Sequence, residues 1–168
     1  AFRPQATEVV FGRIGQHDGL KGLVLPLDAQ HQITVSGRID RLDTATIAGT
    51  PYFVVVDYKS SAHDFDPLAA YYGKAMQLLT YIDAVANAES MAGLKPAGAQ
   101  YFRLHQPRLK YEKTTDLPLD LLKDFKMAGL LVLPDDEAAA TALTAAFDQS
   151  LAAGENSALV ALGLKKDG

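Results

Sequence analysis

The chain holds no cysteine in its 168 residues, so no disulfide framework and no Cys-ligated zinc or iron–sulfur centre can be built from these residues. No apolar stretch approaches the roughly 18 residues of a membrane-spanning helix, and no basic-then-apolar leader opens the chain; a cytoplasmic protein is expected. Positive charge is not in excess. Lysine and arginine total 16 against 20 acids, a net charge of −4, which argues against a general basic nucleic-acid binder. An acidic metal site is still compatible, because its cation offsets the charge locally. Phosphate-cradling glycine patterns of the G-x-x-x-x-G-K-[ST] or G-x-G-x-x-G kind are missing, as is a G-x-S-x-G nucleophile elbow. These residues are therefore not expected to bind ATP. Repeats and low-complexity segments are absent, and His17, His31, His63 and His105 lack metal-ligand spacing and read as loop or surface positions.

What is present is ordinary globular material, 48% hydrophobic and 21% charged, enough for one domain over residues 1–168 with a sizeable core. The chain opens Ala1–Phe2–Arg3–Pro4 without methionine and ends on the turn-like Leu164–Lys165–Lys166–Asp167–Gly168. Both ends read as cut, the expectation being a fragment of a larger subunit.

Val9–Val10–Phe11 and Leu23 to Leu27 are short apolar runs that predict strands, separated by turns at His17 to Gly22 and Asp28 to Gln32. Ile33, Val35, Gly37 and Ile39 alternate with Thr34, Ser36, Arg38 and Asp40, the period of a strand with one buried face. Thr44 to Pro51 reads as a hairpin connection. Tyr52 to Val56 reads as a central strand buried on both sides, antiparallel to its predecessor. Asp66 as cap and Pro67 at the first turn start a helix that the pattern carries from Leu68 to Ala88, with Leu78, Ile82 and Val85 on one face. Gly93 and Pro96 end it. A strand over Ala99–Leu104, a helix over Leu119–Met127 and a last helix from about Asp135 to Leu151 complete the order, which predicts an α/β or α+β sandwich around a mixed sheet.

The chemistry concentrates between residues 37 and 81. Asp57 and Lys59 lie two apart on one strand, so their side chains share a side about 6.8 Å apart along it. Asp57 follows four apolar residues, Phe53 to Val56, and a carboxylate leaving a buried strand is costly unless it is paired or binds metal. A hairpin would bring Asp40 beside it. Two neighbouring carboxylates repel unless a cation intervenes, and magnesium takes one or two carboxylates, keeps waters and accepts phosphate oxygens. Asp40, Asp57 and the Tyr58 carbonyl are the candidate metal ligands, with Lys59 stabilising charge on the phosphate. Manganese could substitute. Gln77 and Tyr81, four apart on one helix face, could reach phosphate or hold the attacking water. Glu8 is a further candidate ligand. Arg38 and Arg41 flank Asp40 and could contact phosphate or neutralise the carboxylates. An isolated D-x-K is most often a surface ion pair at a strand end; Asp40 and the buried run bring the metal site level with that reading.

The set G-R-I-D-R-L-D (37–43), V-V-D-Y-K-S-S (55–61) and Q-L-L-T-Y (77–81) resembles the PD-(D/E)XK nucleases of the RecB type. The blocks E-V-V-F-G (8–12), Y-Y-G-K-A-M-Q-L-L-T-Y (71–81), P-A-G-A-Q-Y-F-R-L (96–104), F-K-M-A-G-L (125–130) and L-K-K-D-G (164–168) further resemble, in order, the C-terminal nuclease domain of the AddB/RexB subunits of bacterial helicase–nucleases. The resemblance implies a restriction-endonuclease-like α/β core, a mixed central sheet flanked by helices. It implies a magnesium-dependent deoxyribonuclease, an exonuclease, acting on DNA within an ATP-dependent complex for double-strand-break repair by recombination. Its motor would belong to an AddA/RexA-like helicase–nuclease partner. Carried over by position, Asp40 and Asp57 match the metal-binding acids, Lys59 the catalytic lysine, Gln77 and Tyr81 the polar motif on the next helix, and Glu8 a recurrent acid. The family's upstream histidine has no counterpart among the four histidines here, and the cysteines that flank this segment in iron–sulfur-bearing members would fall outside both ends. The alternative is a non-catalytic nuclease-like module for DNA binding or subunit docking.

Overall fold

The computed structural model describes residues 1–12, 19–61, 63–104, 118, 125–152 and 154–162. Strands β1 (Arg3–Phe11), β4 (Gly37–Ile47), β5 (Thr50–Lys59), β6 (Lys95–Arg103) and β7 (Ala128–Leu131) form one sheet in the order β1-β4-β5-β6-β7, while β2 (Leu23–Pro26) and β3 (Gln32–Val35) make a separate two-stranded ribbon. The pair β5–β6 is parallel and the other neighbours are antiparallel. The parallel step requires a crossover, supplied by helices α1 (Pro67–Tyr71) and α2 (Gln77–Ala86). Helix α3 (Glu137–Phe147) follows β7. This is the expected restriction-endonuclease-like α/β fold with a mixed central sheet.

Two hydrophobic cores sandwich the sheet. Phe53, Val55, Leu42, Ala99 and Tyr101 pack with Leu78 and Val85 of α2; Val54, Val56, Tyr52 and Ala97 pack with Leu143 of α3. Alternate residues of β5 thus enter opposite cores, which explains the unbroken apolar run over Tyr52 to Val56. Leu78 and Val85 are fully buried, each contributing about 1.5–3 kcal/mol of transfer free energy.

Several boundaries differ from the sequence reading. The alternating run from Ile33 to Asp40 is divided at Ser36 between β3 and β4, and Asp40 lies within β4 rather than ending a strand. The stretch Thr44 to Ile47 is strand, not loop; the hairpin turns on Ala48 and Gly49 alone, with φ of 50° and 80°, as in the two-residue turn whose twist matches the flanking strands. The helix expected from Leu68 to Ala88 is broken, because Gly73 adopts φ 73° after α1 and its left-handed backbone ends the first segment. Asp66 caps α1 as expected, accepting from the Leu68 and Ala69 amides. Pro96 lies inside β6 instead of ending the preceding element. The helix expected over Leu119–Met127 falls mostly outside the described residues, and Met127 bridges Val160.

Candidate active site

Strand β5 carries Asp57 and Lys59 out of the core on the side facing α2. Asp57 is 3% exposed. Its Oδ1 accepts a hydrogen bond from Gln77 Nε2 at 3.0 Å, and its Oδ2 lies 2.6 Å from Lys59 Nζ. That close contact is off the hydrogen-bonding angle, so Oδ2 is buried with no directed donor. The pair is held by charge, with an acceptor lone pair left over.

The break between α1 and α2 places Gln77 at the first position of α2. Its amide is pinned at both ends: Nε2 also donates to the Tyr81 hydroxyl at 2.9 Å, and Oε1 accepts from Lys59 Nζ at 2.8 Å. The two amide protons meet two acceptors and the carbonyl meets a cation. A flipped amide would oppose an N–H to an ammonium, so one orientation is self-consistent. Tyr81 packs edge-on against Phe11 of β1 with centroids 5.9 Å apart, and Phe11 is in turn seated over Gly37, where an added Cβ would stand 2.8 Å from its ring. Gly37, at the head of the G-R-I-D block, therefore lets Phe11 reach the position that supports Tyr81.

Asp40 reaches the same place from β4. The β4–β5 ladder ends at Arg41–Val56, and beyond it the Asp40 carboxylate, in place of a backbone carbonyl, accepts the Tyr58 N–H at 2.8 Å. That N–H belongs to the peptide joining Asp57 to Tyr58, so Asp40 is anchored on the neighbouring strand at the backbone next to Asp57. Strand alternation is interrupted here: Ile39 and Leu42, three apart, are both fully buried in the α2-side core. On β1 the residue between the pairs Thr7–Arg41 and Val9–Ile39 is Glu8, with φ 55°, a strained conformation for a residue with a Cβ.

The remaining expected residues are placed differently. Glu8 is turned to Arg38, 2.7 Å away, both more than half exposed. Among the described residues, no group of three or more His, Cys, Asp or Glu is arranged to hold a metal. Arg41 projects to the other core: it grips Asp43 through two 2.7 Å bonds and donates to the Tyr58 hydroxyl at 3.2 Å. It shares that face with Asp43, two residues on in β4. The Asp43 pairing raises the Arg41 pKa above its ordinary value. Of the four histidines, His31 and His63 are exposed as expected, and His17 and His105 lie outside the described residues.

Sequence reasoning missed Tyr101. It pairs with Asp57 in the parallel ladder, and its ring lies 5.2 Å from Lys59 Nζ, within cation–π range. Burial pushes its phenol above the ordinary value, against the pull of Lys59. The signal was a tyrosine near the end of a mostly buried strand, K-P-A-G-A-Q-Y-F-R, but the register of a strand joined by a long crossover is not encoded locally.

A profile of the PD-(D/E)XK nuclease superfamily matches residues 1–159. The chain belongs to that superfamily. Curated relatives of this PD-(D/E)XK chain are named as B-type subunits of ATP-dependent helicase/deoxyribonucleases. One from Lacticaseibacillus paracasei is 47% identical over 99% of this chain, one from Enterococcus faecalis 44% over 77%, and one from Listeria welshimeri 36% over 100%. The match covers 14%, 11% and 14% of those proteins, so this PD-(D/E)XK chain spans about a seventh or less of the length of the relatives it matches.

Proposed function

We propose that this chain is the nuclease segment of a helicase–nuclease subunit, hydrolysing DNA phosphodiesters with magnesium as the complex processes double-strand breaks for recombinational repair. The observation that carries the reading is that the Asp40 carboxylate holds the amide of Tyr58, the residue after Asp57, while Asp57, Lys59, Gln77 and Tyr81 are linked to one another. The names of the relatives point to DNA as substrate and to an assembly with other subunits. We assign ATP hydrolysis to residues outside this chain, which holds no nucleotide-binding glycine motif, with the motor in an AddA/RexA-like partner.

The donor set suits a hard divalent cation. The buried Asp57 Oδ2 lacks a directed hydrogen bond, the Asp40 carboxylate is anchored at the amide of the next residue, and oxygen donors of this kind favour magnesium or manganese over softer metals. Asp40, Asp57 and the Tyr58 carbonyl would hold the ion, which when bound supplies Lewis acidity toward the scissile phosphate and the attacking water. Lys59, fixed by Gln77 and the Tyr101 ring, presents its ammonium to charge growing on the phosphate oxygens. Tyr81 accepts from Gln77 and so keeps its own proton to donate to a phosphate oxygen. Gln77 sets the distance between these groups.

In the full-length subunit with its partner, Asp57→Asn is expected to abolish metal-dependent DNA cleavage while leaving ATP hydrolysis intact. Undiminished cutting by that variant would reduce the fold to a non-catalytic module.

A further inference from the structure

Beyond Lys59 the sheet continues into a cleft of about 260 Å³ whose lining includes His63, Asp64, Tyr101, Arg103 and Lys126. We infer that this cleft is a second phosphate site, in which Arg103 and Lys126 hold the DNA phosphate next to the one being cut. The inference rests on the nuclease reading and extends it to how the strand is gripped.

The geometry comes from the sheet register. Asp57 pairs with Tyr101, and Lys59 pairs with Arg103, on the parallel strands β5 and β6; residues two apart on a strand share a face. Tyr101 pairs with Ala128 on β7, and Lys126 stands two residues before it. One rung therefore carries the acid Asp57, and the next carries Lys59 and Arg103, with Lys126 alongside in the same cleft. Adjacent strands lie about 4.8 Å apart, so these cations extend from the cutting site across the sheet. Among the described residues, Asp64 is the one acid lining the cleft against the three cations Lys59, Arg103 and Lys126, a local positive balance in a chain of net charge −4. The Arg103 Nε is buried and has no hydrogen-bond partner among the described residues, a cost that an anion would remove.

The far wall is built to hold Lys126 in place. Met127, its neighbour, donates to the Leu159 carbonyl at 2.9 Å and accepts from the Ala161 amide at 3.0 Å. Residues 157–160 are anchored in turn, since the Ser157 hydroxyl donates to Asp148 at 2.7 Å and accepts from the Leu159 and Val160 amides.

The test uses the full-length subunit in its complex, without ATP so that the motor does not translocate, on a short single-stranded oligonucleotide with magnesium. Lys126→Ala is expected to raise KM roughly tenfold with little change in kcat, and to shallow the dependence of log KM on log salt by roughly 0.7, the share of one single-strand phosphate contact. Lys126→Arg should restore both, and Arg103→Ala should act in the same direction. Unchanged KM and salt slope in both alanine variants, or a loss confined to kcat, would overturn the proposal. Cleavage that ignores Asp57→Asn would instead sink the nuclease reading. The cleft would then stand or fall on oligonucleotide binding in EDTA, roughly tenfold weaker in the same variants if it holds and unchanged if it does not.

Discussion

The sheet buries an acid on each of its faces, and the two are treated in opposite ways. Asp43, 5% exposed, faces the α3 side and is closed off by the two-pronged grip of Arg41. Asp57, 3% exposed, faces α2 with one hydrogen bond from Gln77, a poorly angled lysine contact and a second acid one strand away. Burying a carboxylate is costly unless it is paired. Asp43 meets that cost within the fold. At Asp57 part of it is left for a ligand, and a local arrangement that costs stability is the mark expected of a working site.

Exchanging the two acids is the strongest way to break this comparison. Asp43→Ala strands the Arg41 guanidinium and is expected to destabilise by about 2–3 kcal/mol, less than a wholly enclosed pair because Arg41 is partly exposed; denaturant unfolding measures it. Asp57→Asn leaves Lys59 its bond to Gln77, and the same measurement should find a smaller loss than at Asp43. A large loss at residue 57 and none at 43 would reverse the assignment.

A smaller effect probes the support behind Tyr81. Gly37→Ala pushes a methyl into the Phe11 ring, at an expected cost of about 1–2 kcal/mol. It should also lower the cleavage rate, because Phe11 holds Tyr81 edge-on. Normal cleavage by a destabilised Gly37→Ala protein would show that Phe11 does not set the site.

The smallest expected change lies farthest from the acids, in the anchor of the cleft wall. Hydrogen bonds from Ser150 and Ser157 hold the Asp148 carboxyl below its ordinary 3.8. A depressed folded-state pKa gives stability that is present above the unfolded value and is lost as pH falls through the folded one. Ser157→Ala should cost about 1 kcal/mol at neutral pH and flatten the acid side of the stability–pH curve below about pH 4. An unchanged acid limb would show that Ser150 alone holds Asp148.

Much of this contrast was legible in the sequence, and the illegible part has identifiable causes. A buried apolar run ending in D-x-K announces an acid forced out of the core, and Gln77 and Tyr81 announce their shared face by spacing alone. Arg41, expected at the site for its adjacency to Asp40, instead shares a face with Asp43 and grips it. Parity failed at Asp40 itself, where Glu8 takes a left-handed backbone and the alternation skips; nothing in E-V-V-F-G marks that irregularity. The helix break at Gly73, which sets Gln77 at the start of α2, depends on one residue's φ, and helical periodicity runs straight through it. Tyr101 and Arg103 came beside Asp57 and Lys59 only through the parallel register, which the crossover leaves unspecified.

The central claim is that Asp40 and Asp57 share a divalent cation. Anomalous diffraction from crystals soaked in manganese tests it most directly. A peak between these two carboxylates that disappears in Asp57→Asn is the expected result; an empty site, or a peak bound elsewhere and indifferent to that substitution, would refute the shared cation.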